Sequence, residues 1–414
     1  MSFSNRIAGI IGNLLEHYDS ALYALLAPFI APLFFGGTDP VTALILTYGI
    51  LPLGLLTRPL GSLCFGWIGD RFGRESALFY SLFGTALVTV GIGSLPIYQD
   101  VGVWAPVFLA IAKMLQSFFV AGESSGGAIF VLEHTDRSKR GFVSGLYDAS
   151  SVGGVLIASF LVAMMSDQPG IEHNWRILFW AGGSTAFLGM FLRRRLKFVP
   201  SQKTQVNWFH IIKEHRVAFL CIILASGFSY AIYSLAFTLM NGYIPLITTL
   251  SRAEVIKVNT VLLVIDMLLL PLFGYIANKV GKERLMLLGA VCSIVSAIPL
   301  FALLNGATLG TVIAVRLTII VFGTAFAAPY YAWAIELVPS QHRYLILSLG
   351  GALGSQLIGA PTASVSLWLY QTIGEAGAPG LYLMVGGIGA VLAVYYSILN
   401  KSRLAQVPLD RGDR

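Results

Sequence analysis

Glu16 and Asp19 stand three residues apart inside a largely apolar run near the start of the chain. On a helix that spacing puts both carboxylates on one face. Two like charges held together away from water cannot both stay ionised at low cost, so such a pair takes up and releases protons. Other ionisable or polar groups lie in later apolar runs: Arg58 before Pro59, Lys113 with Gln116 one turn on, Glu123 among Gly122, Ser124, Ser125, Gly126 and Gly127, and Asp266 and Arg316. A charge kept in hydrocarbon costs about 3 kcal/mol or more and marks a wet pathway or a fixed partner. The chemistry on offer is proton exchange and the holding of a small charged solute. Glu16, Asp19 and Glu123 are therefore the candidate proton-coupling acids. Arg58, Lys113, Gln116, Tyr23, Asp266, Arg316 and Tyr330 are the candidate substrate contacts. The competing reading of each is structural: Arg58 pairs permanently with Glu16 or Asp19, Asp266 pairs with Arg316, Glu123 serves close helix packing, and Tyr330 packs with Tyr331, Trp333, Tyr230 and Tyr233.

The elements that must position these groups follow from composition. With 56% hydrophobic and 11% charged residues in 414, the polar surface is too small to cover a water-soluble fold. Spans that satisfy their backbone hydrogen bonds internally must be helices. Apolar runs at 7–34, 41–69, 74–96, 101–133, 139–166, 174–195, 217–247, 255–277, 284–304, 308–337, 343–372 and 378–400 predict twelve transmembrane helices. The first run is not a secretion signal, because Glu16, His17 and Asp19 interrupt what would be its uncharged core. Cys64, Cys221 and Cys292 have neither metal-ligand spacing nor the even count of a disulfide framework. No His cluster, Ser-His-Asp arrangement or phosphate-cradling glycine loop is in a context that supports an enzyme, and no metal or cofactor is expected.

Of the 27 Lys and Arg residues, 21 fall in the termini and in loops of one parity, only Arg252 and Lys257 fall on the other side, and Arg58, Lys113, Arg176 and Arg316 fall within spans. Positive charge stays on the cytoplasmic side, so both termini are cytoplasmic, and the net charge of +7 reflects topology rather than nucleic-acid binding. The one long connection, basic and cytoplasmic, divides the chain into an N-terminal bundle (1–195), a linker (196–216), a C-terminal bundle (217–400) and a tail (401–414). The halves echo each other. Gly66-Trp67-Ile68-Gly69-Asp70-Arg71-Phe72-Gly73-Arg74-Glu75 recurs as Gly274-Tyr275-Ile276-Ala277-Asn278-Lys279-Val280-Gly281-Lys282-Glu283, and Glu133 with Arg140 recurs as Glu336 with Arg343. Duplicated six-helix bundles place a site at the midplane between rocking halves. The repeated loops, with Gly66, Asp70, Arg71, Gly73, Arg74, Glu133, Arg140, Asn278, Lys279, Glu336 and Arg343, are the candidate gate: glycines permit close approach and charges pair across the seam.

The loop at Gly66–Arg74 resembles the signature loop of the major facilitator superfamily, with Asn278 where Asp is usual in the second copy. More narrowly, the chain resembles the metabolite:proton symporter family, whose members carry proline and betaine, 2-oxoglutarate, citrate or shikimate. The segments that carry this are Gly12-Asn13-Leu14-Leu15-Glu16-His17-Tyr18-Asp19, Arg58-Pro59-Leu60-Gly61, Gln116 with Gly122-Glu123, Lys139-Arg140-Gly141-Phe142 and Trp175-Arg176-Ile177. His17 replaces a usual Trp, Ser20 a usual Phe and Lys113 a usual Arg, and a lysine lacks the bidentate carboxylate clamp of an arginine.

The resemblance implies an all-α membrane protein of two pseudo-symmetric six-helix bundles that works by alternating access. The expected activity is proton-coupled symport of a small polar or anionic metabolite, with the proton gradient as driving force. Its partners are the solute, protons and membrane lipid, and it acts as a monomer in a bacterial inner membrane. The rival readings are a metabolite antiporter, which would need several basic residues on one cavity, and a non-transporting receptor on the same bundle.

Overall fold

The computed structural model describes residues 3–72, 74–121, 126–133, 135–166, 170–193 and 208–400. Glu123 and Gly73 lie outside the described residues, as do the side chains of Glu16, Asp70 and Arg74 and the surroundings of Gly66.

Among the described residues twelve helical spans follow one another in chain order, and no strand occurs. Their ends are set by local chemistry as well as by hydropathy. The Asp39 carboxylate accepts from the Val41 and Thr42 amides, and Pro40 occupies the first helical position of the second span, where no amide partner is needed. Ser251 and Glu254 form a reciprocal capping box that starts the eighth span at Arg252. That cap starts the helix ahead of the 255–277 expected from apolar residues alone, and the helix runs Arg252–Val280. A second departure lies in the expected linker, where Trp208–Glu214 forms a short helix.

Several spans are broken. The second turns through a 3-10 segment at Leu51–Leu53. The seventh and eleventh carry π-turns at Ser234–Leu239 and Ser355–Gly359, and the tenth steps at Pro329 before Tyr330–Ala334. π-turns release a backbone carbonyl from the α ladder and recur at functional sites.

The fifth span (Arg140–Ser166) and the eighth (Arg252–Val280) form the main antiparallel seam between the bundles. A Cβ on Gly145 would come within 2.2 Å of the Leu270 carbonyl oxygen, and one on Gly274 within 2.3 Å of that of Gly141. Only glycine permits this approach, a general device for helix contact in lipid. Farther along the same seam Ser159 Oγ and Thr260 Oγ1 share a hydrogen bond of 2.8 Å.

The bundles touch at both ends. At the end carrying the basic loops, the Gly141 amide donates to Asn278 Oδ1 at 2.8 Å. Toward the other end, Gln371 Nε2 donates to Thr42 Oγ1 at 3.0 Å and Tyr48 Oη to the Thr238 carbonyl at 3.1 Å.

Candidate functional site

In the N-terminal bundle the fourth span, Trp104–Val120, turns Lys113 and Gln116 onto its buried face. Lys113 Nζ donates to Gln116 Oε1 at 2.5 Å, and Gln116 Nε2 donates to Thr89 Oγ1 of the third span at 2.9 Å. The Lys113 ammonium also stands 4.7 Å from the centroid of the Tyr23 ring, a cation–π contact that gains strength away from water. Tyr23 is fixed in turn by donating to the Thr47 carbonyl at 2.7 Å.

Asp19, 5% exposed, lies within electrostatic reach of Lys113, and so does Arg58. Gly182 of the sixth span leaves room for the Asp19 carboxylate, since a Cβ there would fall 2.5 Å from Oδ1. Five residues singled out from the sequence, Asp19, Tyr23, Arg58, Lys113 and Gln116, thus share one buried neighbourhood contributed by the first, second and fourth spans. A crevice of about 520 Å³ between the bundles, lined by Phe35, Ile50, Pro106, Val107 and Trp368, reaches Ala110, one turn before Lys113.

In the C-terminal bundle Asp266 and Arg316 do not form the ion pair of the competing structural reading. Arg316, fully buried, donates to Asn259 Oδ1, to the Ala236 carbonyl at 2.9 Å and to that of Val255 at 3.5 Å. Ala236 sits in the π-turn of the seventh span, which explains why its carbonyl is free to accept. Asp266 instead accepts from Thr324 Oγ1 at 2.7 Å. Backbone and amide acceptors replace a carboxylate partner for the guanidinium. Tyr330 is buried and packs on Tyr331 and Trp333, while Trp333 donates to Ser397 Oγ at 3.0 Å.

At the basic end the two echoed acid–base motifs do not close on themselves. Arg343 of the second copy donates to Glu133 of the first at 2.6 Å, and Arg140 of the first lies in the field of Glu336 of the second. Each arginine also bonds back to a carbonyl five residues earlier: Arg140 Nε to Thr135 at 3.2 Å, Arg343 Nε to Val338 at 3.3 Å. Glu336 is held by Lys282 at 2.5 Å. Two of the remaining candidate gate residues lie over aromatic rings: Arg71 is 5.5 Å from the Trp67 ring and Lys279 4.6 Å from the Tyr275 ring. Asn278 caps the fifth span across the seam through the Gly141 amide.

The Major Facilitator Superfamily profile matches residues 10–250, more than half of the chain. The chain belongs to the major facilitator superfamily. Similar facilitators include the proline/betaine transporter of Escherichia coli (strain K12), 28% identical over 400 residues, covering 91% of this chain and 80% of that one. The putative proline/betaine transporter of Staphylococcus aureus (strain MSSA476) is 28% identical over 424 residues, covering 97% and 90%. Among solved structures, the D-xylose-proton symporter superposes with a TM-score of 0.74 at 15% identity over 95% of this chain and 96% of that one, which establishes the shared fold. This facilitator is a multi-pass membrane transporter, not an enzyme.

Three features of the facilitator escape the sequence reading. Asp148, in the fifth span, lies within electrostatic reach of Asp266; an acid inside an apolar span, flanked by Tyr147 and Ala149, carries the same signal as Glu16 and Asp19. Asn259 and Ser159, joined at 3.2 Å, complete the polar chain from Arg316 across the seam. His215 and His342 meet at 2.9 Å although 127 residues apart in the chain, so spacing alone gives no hint of them.

Proposed function

We propose that this facilitator is a proton-coupled symporter of the bacterial inner membrane that carries a small polar or anionic metabolite by alternating access. The observation that carries this reading is the grouping of a buried acid, Asp19, with a buried base, Lys113, and the half-buried Arg58. When Asp19 is ionised it holds Lys113; when it takes a proton that attraction is released, and Lys113 with Gln116 is left to hold a carboxylate or polar group of the solute. Proton and solute then exert a common bias on one conformational equilibrium, the condition for coupling.

The bundles are 1–195 and 217–400, joined by a linker at 196–216 and followed by a tail at 401–414, with both termini cytoplasmic. The basic end is then the cytoplasmic gate, latched by Glu133–Arg343 and by the Asn278 cap with Asp70 and Arg74, while Glu16 and Glu123 serve with Asp19 as proton-coupling acids. The protein works as a monomer in lipid, with the proton gradient as its only energy source. Proline and betaine, carried by the similar transporters, set the solute size.

Uptake of radiolabelled proline, betaine, 2-oxoglutarate, citrate and shikimate into proteoliposomes, with and without an imposed pH gradient, tests the proposal. At least one solute should accumulate only with the gradient, and Asp19→Asn should lose that accumulation while keeping counterflow. Full accumulation by the variant would reject Asp19 as the coupling group.

A further inference from the structure

We infer that Asp148 and Asp266, with Tyr147, Tyr331 and Tyr233, form a subsite for the cationic end of the solute, so that the solute is a small zwitterion or cation and not a dicarboxylate. The inference rests on the symport reading for the existence of a solute, but not on Asp19 or on proton coupling.

The register of the seam places the two acids together. Gly145 meets Leu270 and Gly141 meets Gly274 on the antiparallel fifth and eighth spans. Asp148 is one turn beyond Gly145, and Asp266 one turn beyond Leu270, in the same direction along the membrane normal. The charge acting on Asp148 is that of Asp266. Among the described residues neither acid is in an ion pair, and Asp266 has only the Thr324 hydroxyl as a hydrogen-bond donor there.

Tyrosines from three spans surround the acids. The rings of Tyr147 and Tyr331 meet edge to face, with centroids 5.9 Å apart at 84°, and Tyr331 packs on Tyr330 at 5.1 Å. Asp148 lies within electrostatic reach of Tyr331, and Asp266 of Tyr233. The register thus concentrates negative charge at this level of the seam. Negative charge beside tyrosine faces is the arrangement that takes a quaternary or secondary ammonium. The same charge repels the second carboxylate of a dianion. A zwitterion also uses the opposite polarity of the N-terminal bundle, where Lys113 and Arg58 supply positive charge.

The test is equilibrium binding of radiolabelled glycine betaine to the purified full chain in detergent, without any gradient, with unlabelled competitors. Proline and tetramethylammonium should displace it, whereas 2-oxoglutarate and citrate should not at 100-fold excess. Asp148→Asn and Asp266→Asn should each weaken binding at least about tenfold. Because either variant is at risk of misfolding, Tyr331 supplies an independent check: Tyr331→Phe keeps an aromatic face and should bind within about threefold of wild type, while Tyr331→Leu should lose about tenfold. Displacement by a dicarboxylate, failure of tetramethylammonium to compete, or wild-type affinity in both Asp148→Asn and Tyr331→Leu would each overturn the inference. Gradient-driven uptake separates it from the symport reading. A chain that binds betaine in this way but never accumulates it upholds the subsite and refutes symport. One that accumulates a dicarboxylate on a proton gradient does the reverse.

Discussion

Arg343 reaches across the seam between the bundles to Glu133 at 2.6 Å, while the motif mate of Glu133, Arg140, faces Glu336 of the other bundle. The duplicated motif therefore reaches across the seam: the base of the second copy pairs with the acid of the first, and Arg140 lies in the fields of both Glu336 and Glu133. A pair of this kind, with side chains 15% and 32% exposed, is worth about 1 kcal/mol or less. That is too little to hold the fold and enough to bias a gate by several fold.

Removing either charge should therefore change transport without unfolding the protein. Glu133→Gln and Arg343→Gln are each expected to lower the initial uptake rate about two- to fivefold. The exchange Glu133→Arg with Arg343→Glu should return it to within about twofold of wild type. Initial rates in proteoliposomes, normalised to protein, provide the measurement. An exchange variant slower than both singles would contradict a direct pairing.

Arg316 gives the opposite expectation, because its partners are buried acceptors. Arg316→Met leaves the Ala236 carbonyl and Asn259 Oδ1 without their donor, at a cost of about 3 kcal/mol. The apparent unfolding temperature in detergent should fall on the order of 3–4 °C, read by size-exclusion chromatography after heating. Loss of uptake with an unchanged unfolding temperature would instead make Arg316 a solute contact.

Gly182 ties the sixth span to Asp19, the proposed coupling acid. A Cβ there meets Asp19 Oδ1 at 2.5 Å, so Gly182→Ala must displace the carboxylate. Gradient-driven uptake should drop at least about tenfold while expression and monodispersity persist. Gly91→Ala, where a Cβ meets nothing within 4 Å, serves as the control and should transport normally.

His215 sets a pH dependence at the basic end. Burial holds its imidazole below the usual value; Glu214 opposes that shift and His342 adds to it. The unfolded chain thus binds the proton more readily than the folded one. The stability this group contributes is present above the ordinary imidazole pKa and is lost as the pH falls through the folded value. Acidification from pH 7.5 to 5.5 should lower the unfolding temperature, and His215→Gln should shrink that drop by on the order of 1 °C. An equal drop in both proteins would exclude the histidine as its source.

The sequence shows what depends on local runs of residues and hides what depends on register between helices. The twelve spans are legible because lipid demands long apolar helices, and Lys113 with Gln116 because one helical turn separates them. Span ends are less so: Arg252 enters the helix through the Ser251–Glu254 box, not through hydropathy. Asp148 comes within electrostatic reach of Asp266 only because glycines at 141, 145 and 274 fix how two distant spans lie against each other. Arg316 finds the Ala236 carbonyl only because the seventh span makes a π-turn, for which Ser234–Leu239 carries no readable signal. The echo of Glu133 and Arg140 in Glu336 and Arg343 is plain in the sequence, but pairing across the seam is a property of the assembled bundles.

Proton movement driven by solute is the most direct test of Asp19 as the coupling acid. Proteoliposomes loaded with a pH-sensitive dye, with no initial pH difference, are given an inward gradient of a transported solute. The lumen should acidify with the wild-type protein. With Asp19→Asn the solute should still equilibrate by exchange while the lumen pH stays flat. Equal acidification by the variant would contradict the account.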